Sequence, residues 1–226
     1  MFVYILMGVV FILSIIVPNS LKNKFAKYSK IPLGVPMSGR DIAVAMLQQN
    51  GCSDVQVTSV SGQLTDHFNP ANRSVNLSEP VYGTNSIAAA AVAAHECGHA
   101  VQHKVGYSML QLRTQLVPVV SFASRTMQYV LLAGIALYAL TPLPLYVAVA
   151  MFGLTVLFSF VTLPVEVDAS RRAIKWLEGS GIATGEQLGY AKDALHAAAY
   201  TYVVSAVGSL ASFLYILAMA FGGRRR

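Results

Sequence analysis

Ser86-Ile87-Ala88-Ala89-Ala90-Ala91-Val92-Ala93-Ala94-His95-Glu96-Cys97-Gly98-His99-Ala100-Val101 is the stretch around which the rest of the chain arranges itself. Alanine has the highest intrinsic helix propensity, so the run predicts a helix. Side chains four residues apart stand one turn above the other on a helix. His95 and His99 therefore point the same way, and their imidazoles can share one metal ion. Glu96 lies about 100° further round, off the ligand line but within reach of a water on that ion. Zinc lowers the pKa of such a water to about 7, and a carboxylate can take its proton during attack. The expected cofactor is Zn2+, with Glu96 as the expected catalytic base. Small residues at 87–94 leave room for neighbouring backbone to come close.

A third ligand is expected elsewhere, and Glu166 is the best candidate. It stands in Leu163-Pro164-Val165-Glu166-Val167-Asp168-Ala169-Ser170-Arg171-Arg172-Ala173, directly after an apolar span. A carboxylate at the end of a membrane helix is costly unless it is paired or ligated. The plainer alternative is that Glu166 and Asp168 pair with Arg171 and Arg172 at the interface. Asp168 lies about 200° from Glu166 on a helix and should face elsewhere.

Working outward, the composition points to lipid. Of 226 residues, 55% are hydrophobic and only 12% are charged, about half the charge of a soluble domain. The net charge of +6 reads as loop and interface charge, and no nucleic-acid partner is expected. Four apolar stretches stand out: Phe2–Val17, Met127–Leu140 (starting as early as Leu116, with Arg125 interrupting), Leu143–Leu163 and Tyr202–Phe221. A span needs about 20 residues. The first has no preceding basic residue and no cleavage site, and Lys22, Lys24, Lys27 and Lys30 follow it, so it reads as an uncleaved anchor with a cytoplasmic C-terminal flank. On that orientation 18–115 and 164–201 are cytoplasmic, and Glu166 emerges on the same side as His95. The last span would then export Arg224–Arg226, which runs against the charge rule. Cys52 and Cys97 read as free thiols in a reducing compartment.

Residues 33–85 read as a small α/β unit. Gly39–Asn50 has helical spacing and stops at Gly51. Val55–Val60 and Arg73–Leu77 alternate like strands, joined by the turn-rich Asp66–Asn72, so a β-hairpin or edge strand is expected. An exposed edge could hold an extended peptide by backbone pairing.

Other polar residues are weaker candidates. His67, in the connection, could contact substrate or an oxyanion. His103 continues the His95–His99 face and reads as a polar helix end. His196, before the last apolar run, could contact the transition state. Cys97 points off the ligand face and reads as packed.

The motifs His95-Glu96-Cys97-Gly98-His99, Leu64-Thr65-Asp66-His67-Phe68-Asn69-Pro70 and Pro164–Ala173, with the Ser86–Ala89 run, together resemble the bacterial YugP-type neutral zinc metallopeptidases. The resemblance covers nearly the whole chain and is similar in logic to the gluzincins, in which the third ligand is a Glu on a later helix; it implies that role for Glu166. Related membrane peptidases carry an Asp four residues after that Glu, supporting a ligand histidine. Here that position is Ser170, while Asp168 is two away, so both are candidates for the outer shell. The resemblance implies a membrane-embedded endopeptidase in the bacterial cell membrane, multi-pass, with its site facing the cytoplasm. Peptide or protein substrates, the lipid bilayer and a regulatory membrane-protein partner are its expected partners. A role in membrane-protein quality control is the expectation by analogy. The competing readings are an intramembrane protease and a non-proteolytic zinc-binding membrane scaffold or chaperone.

The expected fold is mainly α: about four membrane helices and a small α/β zincin-like catalytic insert bearing the His95–His99 helix. Its expected parts are an anchor at 1–20, the insert at 21–115, a helical hairpin at 116–163, a segment carrying the third ligand at 164–201, and a last helix with a basic tail at 202–226.

Overall fold

The computed structural model describes residues 2–222, so the Arg224–Arg226 tail lies outside it. The chain runs α1 (Phe2–Tyr28), α2 (Gly39–Gln49), β1 (Gln56–Val60), β2 (His67–Asn69), β3 (Ser74–Ser78), α3 (Glu79–Tyr82), α4 (Ile87–Lys104), α5 (Ser108–Ala136), α6 (Leu143–Gly179) and α7 (Gly185–Gly222). It is mainly helical with one small sheet. Helices α1, α5, α6 and α7 are each long and apolar enough to cross a membrane.

At the centre lies α4. Ser86 caps it, its hydroxyl accepting from the Ala89 amide, as a helix N-terminus with orphan donors requires. Almost every side chain of α4 is buried, the alanines above all. Small side chains on all sides let α2, α6 and α7 close on it at once, with Ile42, Met46, Leu47, Leu77, Ala173 and Leu177 in the shared core. The tightest approach is at Gly98, where a Cβ would stand 2.6 Å from the Ala169 carbonyl oxygen of α6.

The sheet corrects a hairpin of the two alternating runs and bears out the edge strand. The two alternating runs are neighbours, but β1 pairs parallel with β3, Gln56 opposite Ser74 and Val60 opposite Ser78. The turn-rich connection itself contributes β2, antiparallel to β3 with Phe68 opposite Val75, and the order is β1-β3-β2. All five residues of β3 are buried, so it takes the centre and is paired on both edges, leaving β2 as an edge strand. A three-residue strand is too short to show alternation, which is why it read as loop.

The long helices also exceed the apolar runs that announced them. Helix α6 continues through Pro164 to Gly179, and α7 begins at Gly185, well before Tyr202. Their ends beyond the apolar parts pack on α4. Helices α5 and α6 form an antiparallel hairpin, so close at Gly134 that a Cβ would lie 2.7 Å from the Leu145 amide.

Candidate metal centre

Two elements build the centre, α4 from one side and α6 from the other. His95 and His99 stand one turn apart on α4, rings edge to face with centroids 4.8 Å apart. Glu166, 2% exposed, reaches both: its Oε2 lies 3.2 Å from His95 Nε2 and 3.6 Å from His99 Nε2. One ligand atom from each of the three residues falls within 4.8 Å of the others. Tetrahedral zinc with ligand bonds of about 2.0–2.1 Å needs its donors roughly 3.3–3.4 Å apart. The donor set fits zinc, and the two carboxylate–imidazole distances lie close to that spacing.

Each candidate ligand histidine is oriented from behind. His95 Nδ1 lies within hydrogen-bonding distance of Ser170 Oγ, at 3.1 Å. His99 Nδ1 donates to Gln102 Oε1 at 3.0 Å. Gln102 is wholly buried and spends its amide on Val165 O and Asp168 Oδ2, both at 2.8 Å. With each Nδ1 held from behind, each Nε2 is turned toward Glu166 and the space an ion would take, as outer-shell partners do for metal-binding histidines. Burial disfavours a charged His99, but the hydrogen bond and charge of Glu166 outweigh it and raise its pKa above the ordinary value.

A cleft of about 390 Å³ opens over these residues, lined by Glu96, His67, Phe68, His103, Arg113 and Tyr202 among others. Glu96 shares the cleft but stands off the ligand line, as its place on α4 dictates. His67 is exposed at the start of β2, its Nδ1 2.8 Å from Thr65 O, so the edge strand borders the cleft. His103 packs against Phe68. His196 is exposed on α7 and does not line the cleft; Tyr202, further along the same helix, does. Asp168 takes Arg172 Nε at 2.6 Å, so the plainer alternative holds for that carboxylate, while Glu166 turns inward. Cys97 faces α2, its thiol donating to Ala43 O at 3.5 Å, and burial pushes its pKa well up.

Three residues of the centre escaped the reading of the sequence. Gln102 is three residues after His99, on the same helix face, and that spacing was its signal. Arg113, whose Nη1 lies 3.3 Å from Glu166 Oε1, is a charge inside an apolar helix, which is itself a functional flag. Tyr202, which lines the cleft beside Glu166, carried no signal.

The family model described as "Putative neutral zinc metallopeptidase" matches residues 3–221. A relative, the "Putative membrane protease YugP" of Bacillus subtilis (strain 168), is 40% identical over 204 residues, covering 90% of each chain. No solved structure matches.

Proposed function

The chain belongs to the neutral zinc metallopeptidase family, and from that premise we propose that it is a membrane-embedded, zinc-dependent endopeptidase. The observation that carries this reading is the convergence of His95, His99 and Glu166, one donor atom of each within 4.8 Å of the others, beneath a cleft that also holds Glu96. Bound there, zinc would supply a Lewis acid that makes a water nucleophilic near neutral pH and polarises the scissile carbonyl. The Glu96 carboxylate takes the attacking water's proton and hands it to the leaving amine nitrogen. Arg113 holds Oε1 of Glu166 and leaves Oε2 to face the histidines. An extended substrate pairs with the edge strand β2, with His67 beside it, and so lies across the cleft.

We read the insert at 21–115 as zincin-like, with the third ligand brought in by the 164–201 segment, and the site as facing the cytoplasm. A cleft at the end of the apolar spans suits juxtamembrane segments of membrane proteins, which supports a quality-control role. A scaffold would need the three ligands but not Glu96 beside them. An intramembrane protease would need α4 within the bilayer, and α4 is instead enclosed by α2, the sheet, α6 and α7.

The test is Glu96→Gln in purified protein. It should retain one zinc per chain and lose hydrolysis of an unfolded protein substrate, whereas His95→Ala with His99→Ala should lose the zinc as well. Proteolysis at the wild-type rate by Glu96→Gln would end the assignment of the base. Zinc retained in full by the double variant would end the assignment of the site.

A further inference from the structure

Arg125 is the only charged residue between Arg113 and Glu166. Two contacts set its depth. Gly134 meets Leu145 and Arg113 meets Glu166, and the register they share along the hairpin brings Arg125 level with Leu154. At 1.5 Å per residue Arg125 stands about 18 Å along α5 from Arg113. Glu166 ends the apolar run of α6, so Arg125 lies near the middle of a hydrocarbon layer roughly 30 Å thick. This placement rests on α5 and α6 spanning the membrane, not on the chain's being a protease.

Its direction is equally defined. The buried residues of α5 are Val120, Ala123 and Gly134, the face against α6. Arg125 is on the opposite side and exposed. Ser121 and Gln128 share that side, which is otherwise bordered by Phe122 and Tyr129, 68% and 66% exposed. The face packs on no other element among the described residues.

A guanidinium in hydrocarbon is retained only where something pairs with it. This chain cannot supply that partner. It has no Asp or Glu between residues 97 and 165 and none after Asp193, so every carboxylate lies at the level of the metal centre or beyond it. A second copy has the same lack.

We infer that the Arg125 face of α5 is a docking surface for a transmembrane helix of another protein that carries a carboxylate near mid-depth. Ser121 and Gln128 add hydrogen-bonding groups one turn to each side, and Phe122 and Tyr129 supply apolar contact. Leu110, Arg113, Thr114 and Val117 of the same helix line the cleft, so a helix docked at Arg125 brings its flanking segment to the cleft mouth.

The experiment uses the full-length chain in phosphatidylcholine proteoliposomes and labelled single-span peptides. The peptides share a polyleucine host and differ only in a central Glu, Gln or Lys. The Glu peptide should bind about tenfold more tightly than the Gln peptide, an increment of the size interhelical polar contacts provide. Arg125→Leu should erase that preference, and Arg125→Glu should transfer it to the Lys peptide. Equal binding of all three peptides by the wild type would mean that lipid phosphate serves the guanidinium, and would overturn the inference. So would a Glu preference that survives Arg125→Leu. Circular dichroism of each variant shows that helical content is kept. Carbonate extraction of the chain from membranes tests the spanning premise separately.

Discussion

At Gly98 a methyl group has no room: it would stand 2.6 Å from a backbone oxygen of α6, and backbone cannot swing aside as a flexible side chain can. Gly98 sits between Glu96 and His99, so pushing α4 from α6 also separates the histidines from Glu166. Gly98→Ala should therefore lower stability by about 1–3 kcal/mol, as overpacking does, and weaken zinc binding. Unfolding in detergent and a chelator competition would measure the two effects, and unchanged zinc affinity would show that the ligands do not depend on this contact. For Glu166 the expectation is categorical. Glu166→Ala removes a ligand, and Glu166→Gln removes the anion a ligand must be, so both should lose zinc and proteolysis. Asp168→Asn acts only through Gln102 and should do less. Ser170→Ala leaves His95 Nδ1 without its hydrogen-bond partner and should cost roughly 10–100-fold in zinc affinity. Loss of zinc from Asp168→Asn with retention in Glu166→Ala would mean that the wrong carboxylate has been assigned.

Among the elements, α2 has the start most open to test. Ser38 Oγ accepts from the Asp41 amide, while Asp41 Oδ2 accepts from the Ser38 amide and hydroxyl, a reciprocal capping box. Those bonds from Ser38 hold the Asp41 carboxyl below its ordinary pKa. A depressed pKa contributes stability that is fully present above the unfolded value and lost as pH falls through the folded one. Its window is therefore the acid side of the ordinary carboxylate range. Ser38→Ala should destabilise α2 by about 1 kcal/mol near neutral pH, with the difference from wild type shrinking as Asp41 protonates. Hydrogen exchange at the α2 amides against pH measures it, and a difference that grows on acidification would reverse the sign. The same scale explains the sheet. Alternation announced β1 and β3, but β2 is legible only once β3 is seen to be buried and in need of a second neighbour.

For the molecule as a whole, four helices of spanning length make the side that holds the cleft a testable property. The lysines after the first apolar run support the cytoplasmic side proposed above. A reporter within 33–85 should thus read cytoplasmic and one in the Thr141–Pro144 turn external; the opposite pattern would invert the topology. Local chemistry was enough to determine much of this protein. Helical spacing paired His95 with His99 and set Glu96 off their line. Alanine content made α4 a helix, and the cost of a carboxylate at a span's end singled out Glu166. These follow from propensity, periodicity and desolvation, which act on neighbours in the chain. Only the tertiary structure decided that Ser170 backs His95, that Gln102 and not Asp168 backs His99, and that Tyr202 rather than His196 reaches the cleft. It alone turned Arg113 toward Glu166 and Arg125 away from every carboxylate in the chain. Those outcomes depend on the register in which α4, α5, α6 and α7 pack. That register is set by close approaches at Gly98 and Gly134, between residues tens of positions apart or flanking a turn, and no local pattern encodes it.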